Sequence, residues 1–177
     1  MFTLNHFPKN KDKFVRLIEF LKEILDICNN LGISPILDGS LAVFAYTENQ
    51  ELNVNDVDLS CSEMEFPKII SALEDRGISY KSREFHVLQI LKDGLKVELD
   101  SIEYWYKDLP MVYEILQIDD YMVKMLSLHS LKEFYRQGMK ARAHKTEEIE
   151  KIKYEELRVK YEALEKVKSY IAKDDKL

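Results

Sequence analysis

The chain has 177 residues, of which 46% are hydrophobic, and its 26 basic and 32 acidic side chains give a net charge of −6. The hydrophobic fraction is sufficient for a core and excludes wholesale disorder, and the length favours one domain or one domain with an appendage. Proteins that hold extended nucleic acid usually have a basic excess, so we expect a small substrate or a protein partner and no extended DNA or RNA.

We expect a cytoplasmic protein that does not enter a membrane. The longest apolar run is far shorter than a membrane span, and Met1 to His6 lack the basic-then-apolar pattern of a signal peptide. Cys28 and Cys61 form neither a disulfide framework nor a zinc-ligand pattern, which fits a compartment that keeps thiols reduced.

The first third of the chain predicts a long helix followed by short elements. Apolar residues recur at helical spacing from Phe14 to Cys28, which predicts a helix over about 12–31 that ends at Gly32. The residues after it predict, in order, a strand at 34–38, a turn at Gly39-Ser40, a helix at 41–46, a loop at 47–55 and a strand at 56–60.

The remainder predicts one more α/β segment and then helices. The elements expected in order are a helix at 66–76, strands at 79–91 and 95–102 joined by a turn at 92–94, helical signals from Pro110 onward, and a helix from Ser130 through Tyr135. The Glu- and Lys-rich tail from about residue 146 carries an apolar stripe of Tyr154, Leu157, Tyr161, Leu164 and Ile171. We therefore predict an α+β fold with a mixed sheet flanked by helices over residues 1–110, followed by a helical part over 111–177.

Three carboxylates on two predicted strands suggest a metal site. Asp56 and Asp58 are two residues apart and project from the same face of their strand. Glu98 lies on a later strand between Val97 and Leu99, so the three acids converge if the two strands are neighbours. Mg²⁺ prefers oxygen ligands, and metal ions bound by such acids can activate an attacking hydroxyl and stabilise leaving pyrophosphate.

The Gly39-Ser40 turn is a candidate phosphate site. Glycine lets the backbone approach phosphate oxygens closely. Ser40 begins a predicted helix, whose first N–H groups and dipole favour negative charge.

These three elements, in this order, resemble the nucleotidyltransferase superfamily typified by DNA polymerase beta, and in particular its small prokaryotic members. The resemblance covers residues 34–102 and implies a nucleotidyltransferase-like sheet. It also implies that Gly39 and Ser40 grip a nucleoside triphosphate and that Asp56, Asp58 and Glu98 hold Mg²⁺ or Mn²⁺.

The resemblance implies further ligands with less specific motifs. Asp100, on the same strand face as Glu98, is the second choice for the third acid. Lys124, Arg142 and Lys145 are candidate phosphate contacts, the alternative for the last two being pairing with nearby glutamates of the tail.

Three functions stay open at this point. The first is a metal-dependent nucleotidyltransferase that moves a nucleoside monophosphate from a triphosphate to a hydroxyl of a small molecule or a protein. The second is a related fold that has lost catalysis and binds a nucleotide or serves in a toxin–antitoxin-like pair. The third is an interaction protein organised around the charged C-terminal helix, which is also a candidate homodimer contact.

Overall fold

The computed structural model describes residues 1–109 and 111–167, which form one mixed eight-stranded sheet with helices. The strands are β1 (Phe2–Thr3), β2 (Ile36–Asp38), β3 (Val57–Cys61), β4 (Ser79–Arg83), β5 (Val87–Lys92), β6 (Leu95–Ser101), β7 (Tyr113–Ile118) and β8 (Tyr121–Leu126). The helices are α1 (Lys11–Asn30), α2 (Gly39–Thr47), α3 (Phe66–Asp75), α4 (Ile102–Trp105), α5 (Leu128–Arg142) and α6 (Glu148–Glu165). This architecture confirms the predicted fold class.

The strand order places β2, β3 and β6 next to one another in the middle of the sheet. The full order is β1-β7-β8-β2-β3-β6-β5-β4. β3 runs antiparallel to β2 and parallel to β6, so the end of β2 lies beside the beginnings of β3 and β6. We call this border of the sheet the acidic edge, because Asp38, Asp56, Asp58 and Glu98 all lie at it.

The two faces of the central strands differ because strand side chains alternate. Along β6, Leu95, Val97 and Leu99 are buried, whereas the charged residues between them are half-buried. Helix α1 contacts β6 and α3 and buries a stripe of nine side chains, beginning with Phe14 and ending with Cys28. The predicted helix over 12–31 is thus present with nearly the predicted bounds.

Two predictions for the second half of the chain are wrong. The predicted strand 79–91 is two antiparallel strands, β4 and β5, separated by a turn at 84–86 in which Phe85 and His86 have positive φ. Residues 113–126 form strands β7 and β8 instead of helix, because they pair with each other and β8 also pairs with β2. Whether residues 1–110 form a unit by themselves stays a prediction.

The helical part therefore begins at Leu128. Ser127, not Ser130, caps α5, with its hydroxyl accepting a hydrogen bond from the Ser130 N–H. α5 and α6 pack against each other, α6 also contacts α2, and Leu164 of the predicted stripe is fully buried. Ile171 of that stripe lies outside the described residues. No helix in the described parts of the chain has the length and apolar composition needed to cross a membrane.

Candidate active site

Three acids lie opposite one another on the adjacent strands β2, β3 and β6. Asp38 on β2 is opposite Asp58 on β3, and Asp58 is opposite Glu98 on β6. Side chains of directly paired residues project from the same face. The strands of Asp58 and Glu98 are therefore neighbours, which is the condition for convergence of the acids, and Asp38 adds a further acid to the row.

Asp56, Asp58 and Glu98 converge on one point. Each of the three half-buried carboxylates offers an oxygen that lies within 4.8 Å of the others. Asp100 is opposite Ser60, two residue pairs further along the strands, and does not belong to this cluster. The geometry thus brings Glu98 rather than Asp100 to the Asp pair, and the role of the three acids as ligands stays a prediction.

Gly39 is in direct contact with the cluster. Its φ is +62°, a conformation that glycine adopts readily. A Cβ added at this position would lie only 1.8 Å from Oδ2 of Asp58, so no other residue fits unless Asp58 moves. The turn therefore requires glycine both for its backbone and for its close approach to a carboxylate.

Ser40 lies in the first turn of α2, immediately after Gly39, and no side chain caps that helix. It lines a cleft of about 750 Å³ between the acidic edge and α6. Asp56 lines the same cleft, as do Lys151 and Lys160 of α6. We call this space the α6 cleft; it joins the predicted phosphate turn to one of the predicted metal ligands.

Asp38 is a site residue that the sequence analysis did not single out. Its carboxylate is 2% exposed and accepts hydrogen bonds from the Ser60 hydroxyl at 2.5 Å and the Tyr106 hydroxyl at 2.7 Å. Both hydroxyls donate to the same oxygen, Oδ2, and so hold the Asp38 carboxylate in place. Its position directly before Gly39-Ser40 was the available signal, but the partners come from distant parts of the chain.

Lys96 is a second site residue that the sequence did not reveal. Its ammonium group lies 2.7 Å from Asp56 and 3.2 Å from Glu98, so it bridges two of the three clustered acids. Glu98 also accepts a hydrogen bond from the Gln89 amide at 2.7 Å. Although burial acts in the opposite direction, the hydrogen bond to Asp56 raises the pKa of Lys96 above its ordinary value. Lys96 therefore stays charged and partly neutralises the cluster.

Crowding makes some of these acids hard to ionise. Burial, with the neighbouring Asp38 and Asp56, raises the pKa of Asp58 to about 8. Burial, with Asp38 and Asp58, raises the pKa of Asp100 to about 9. Each additional negative charge in the group therefore costs free energy until a cation enters.

The donor set fits a divalent cation of the Mg²⁺ class. Three carboxylate oxygens within coordinating reach of one another are hard ligands, and deprotonation of Asp58 is favoured by an added positive charge. The buried Tyr135 hydroxyl has no hydrogen-bond partner among the described residues, and the Asp58 and Asp38 charges add to the effect of burial in raising its pKa. The Tyr135 hydroxyl can therefore form a hydrogen bond with a group that binds beside these acids.

The basic residues that were predicted to contact phosphate lie in different parts of the structure. Lys124 lies on β8 opposite Ile36, with its ammonium 4.8 Å from the centre of the Tyr113 ring. Arg142 pairs with Glu150 at 3.3 Å, and Lys145 is exposed in the connection between α5 and α6. Lys160, which the sequence analysis missed, is instead near enough for its charge to act on Asp38 and Asp58. Phosphate binding by Lys124, Arg142 or Lys145 stays a prediction.

A family comparison assigns the chain. Residues 20–152 match the family model described as aminoglycoside-2''-adenylyltransferase, and this match covers well over half of the sequence. The chain belongs to this family. That assignment confirms the predicted nucleotidyltransferase class of enzyme, whereas the narrower likeness to DNA polymerase beta stays a prediction. No curated protein sequence gives a significant match.

Solved structures share the fold at low sequence identity. A lincomycin-bound lincosamide antibiotic adenylyltransferase, LnuA, has 14% identity and a TM-score of 0.56, covering 84% of this chain and 96% of LnuA. The solution structure of the antibiotic-resistance factor ANT(2'')-Ia has 11% identity and a TM-score of 0.57, with 85% and 92% covered. An antigenic nucleotidyltransferase-like protein from Paracoccidioides brasiliensis has 13% identity and a TM-score of 0.55, with 89% and 77% covered.

Proposed function

We propose that this protein is a metal-dependent nucleotidyltransferase that transfers a nucleoside monophosphate from a nucleoside triphosphate to a hydroxyl group of an acceptor. The convergence of Asp56, Asp58 and Glu98 beside the Gly39-Ser40 turn carries this proposal. Family membership supports it, because the family's name describes adenylyl transfer. We take the acceptor to be a small molecule, with a protein hydroxyl as the other possibility.

The residues divide into two groups by what they would do. Asp56, Asp58 and Glu98 would hold Mg²⁺ or Mn²⁺, which when bound neutralises phosphate charge and lowers the pKa of a coordinated hydroxyl. The first turn of α2, with Ser40, presents N–H groups to the triphosphate. Lys160 and Lys151 of the α6 cleft supply positive charge on the other side of the same space.

In the transfer, the acceptor hydroxyl oxygen bonds to the α-phosphorus while the bond from that phosphorus to the bridging oxygen breaks. Pyrophosphate leaves, and the hydroxyl proton passes to a carboxylate of the cluster and then to solvent. Asp38, held by Ser60 and Tyr106 and opposite Asp58 in the sheet, acts indirectly in this scheme, because its charge disfavours ionisation of Asp58 until a cation is bound. Catalysis rests mainly on orientation and charge neutralisation.

Label transfer tests the proposal. The protein is incubated with each common nucleoside triphosphate labelled at the α-phosphate, with Mg²⁺, Mn²⁺ or EDTA, and with a small-molecule extract or a lysate. We expect label in an acceptor only when a divalent ion is present, and a loss on the order of 10³-fold in Asp58→Asn. Asp75→Asn, an exposed acid of α3, is the control. Equal transfer by wild type and Asp58→Asn, or transfer that EDTA does not reduce, contradicts the proposal.

A second function has one observation in its favour. Lys96 already bridges Asp56 and Glu98, as an internal cation would in a protein that binds nucleotide without metal and no longer catalyses. Calorimetric titration with ATP distinguishes the two. Affinity that is equal with and without Mg²⁺, together with no label transfer, would favour the non-catalytic protein, including one that acts in a two-protein module.

A further inference from the structure

A second groove also reaches Asp56. Its volume is about 1050 Å³, and it follows the acidic edge from β6 toward β4 and the beginning of α1. Asn55 and Asp56 line both this groove and the α6 cleft, whereas Ser40 lines the α6 cleft. We call it the β4–β6 groove. The cleft that contains the predicted phosphate turn and this groove thus meet at one proposed metal ligand.

The groove reverses the charge balance of the protein. Its lining contains five cationic side chains, namely Lys13, Arg76, Lys81, Lys92 and Lys96. It contains three acids, namely Glu23, Asp56 and Asp93. The chain as a whole has 26 basic and 32 acidic residues, so the basic excess is local.

Three of these cations are available to a ligand. Lys96 pairs with Asp56 and Glu98, and Lys92 pairs with Glu23 at 2.5 Å. Within residues 1–109 and 111–167, no carboxylate forms an ion pair with Lys13, Arg76 or Lys81. Two of the three groove acids are thus already neutralised, while three cations are not.

The strand register shows how far Lys81 lies from the acids. Glu98 is opposite Gln89 on β5, and Gln89 is opposite Lys81 on β4. Lys81 therefore continues the row of Asp58 and Glu98 on the same face, two strand spacings or roughly 10 Å beyond Glu98. An acceptor the size of a phosphorylated sugar spans that distance with a hydroxyl at the acids and an anion at Lys81.

We propose that the β4–β6 groove binds the acceptor and that the acceptor carries a phosphate or carboxylate group, which Lys81, Arg76 and Lys13 hold. This inference rests on the proposed nucleotidyl transfer and specifies its substrate class. The nucleotide occupies the α6 cleft at Ser40, and the acceptor hydroxyl approaches the α-phosphorus from the β4–β6 groove, which meets that cleft at Asp56. An acceptor with several ammonium groups would meet like charges here, because cations outnumber acids in the groove.

A binding experiment tests the groove without any turnover. Inorganic phosphate is titrated into the metal-free protein and followed by amide chemical shifts. We expect shifts at Gly77, Gly94 and Lys81, and an affinity about tenfold lower in the Lys81→Gln/Arg76→Gln double variant. Arg83→Gln, two residues along the same strand and outside the groove lining, is the control and should bind as wild type does. Shifts confined to residues around Ser40, or equal affinity in the double variant, overturn the proposal.

A turnover experiment identifies the acceptor class. A neutral sugar, its phosphate ester, its uronic acid and an aminoglycoside are compared as acceptors of label from α-labelled ATP. We expect the anionic acceptors to be used, with the double variant raising their KM about tenfold and leaving the KM for ATP unchanged. Use of the aminoglycoside, unaffected by the double variant, overturns the inference but leaves the proposed function standing. Absence of transfer to every acceptor counts against the proposed function, and the phosphate titration then decides the groove by itself.

Discussion

The two faces of β3 and β6 are made from the same stretches of chain and differ in what they contribute. On one face, Val57, Leu59, Val97 and Leu99 are fully buried against the core. On the other, Asp58 and Glu98 lie side by side and burial raises the pKa of Asp58 to about 8. Burial of apolar side chains stabilises the fold, whereas the crowded acids oppose it until a cation neutralises them.

This difference separates the residues that hold the sheet together from those that we propose act on a substrate. Because side chains alternate along a strand, each acid has apolar neighbours on the same backbone. The packing of the apolar face therefore fixes the spacing of the acids on the other face. Removal of an apolar side chain from one face should therefore destabilise the metal-free protein, whereas removal of a carboxylate charge from the other should stabilise it.

Leu99→Ala should have the largest effect. It removes a fully buried side chain from the middle of β6, and the free energy of unfolding should fall by about 3 kcal/mol. Urea denaturation measures this change. The added stabilisation by Mg²⁺ should match that of wild type, since no carboxylate is altered. A loss of the Mg²⁺ effect in a variant that remains folded would mean that the two faces are not separable.

Gly39→Ala should follow, compared with Gly77→Ala. Both glycines have positive φ, but a Cβ at position 77 meets nothing within 4 Å, whereas at position 39 it meets Asp58. We expect Gly77→Ala to cost about 1 kcal/mol from backbone strain alone. Gly39→Ala should cost about 1 kcal/mol more through the steric conflict, and should weaken triphosphate binding as well. Equal losses in urea denaturation would show that Asp58 moves aside without cost.

The pH dependence comes next. Because the pKa values of Asp58 and Asp100 are raised to about 8 and about 9, the folded metal-free protein holds protons that the unfolded chain releases near pH 4. The stabilisation that these two groups contribute should therefore be greatest below pH 4 and should be lost as the pH rises through 8 to 9. We expect the melting temperature in EDTA to fall by about 5 °C between pH 5 and 9.

Two comparisons sharpen that measurement. Asp58→Asn removes one of the two groups, so its melting temperature should depend less on pH than that of wild type. Saturating Mg²⁺ should reverse the trend, because the metal binds the deprotonated acids. A pH profile in EDTA that is flat, or that rises toward pH 9, would contradict crowding of the acids.

Lys96→Met should have the smallest effect. The Lys96 side chain is 31% exposed and its ammonium group pairs with two acids, so its loss should lower the stability of the metal-free protein by less than about 1 kcal/mol. Without this cation, Mn²⁺ affinity measured by titration should increase. Lys92 lies on the same β5–β6 hairpin as Lys96 and pairs with Glu23 of α1. Lys92→Met is therefore the control and should leave Mn²⁺ affinity unchanged.

The sequence by itself determined the local elements and the identity of the central acids. The apolar spacing of α1, the alternation in β3 and the Gly39-Ser40 turn are local signals, and they placed Asp56 and Asp58 on one face of a strand and Glu98 on a later strand. The structure supplied the pairing of these two strands. The fold class followed from the same signals together with the resemblance that the ordered motifs carry.

Only the tertiary structure decided which groups surround those acids. Local spacing predicts helix where the structure has β7 and β8, because β7 pairs with β8 and β8 also pairs with β2, and such pairing is not visible in the local sequence. Lys96, Tyr106 and Lys160 come from separate elements, and their approach to the acids depends on strand register and helix packing. Sequence periodicity specifies which face of an element a side chain occupies, but long-range pairing specifies what that face meets.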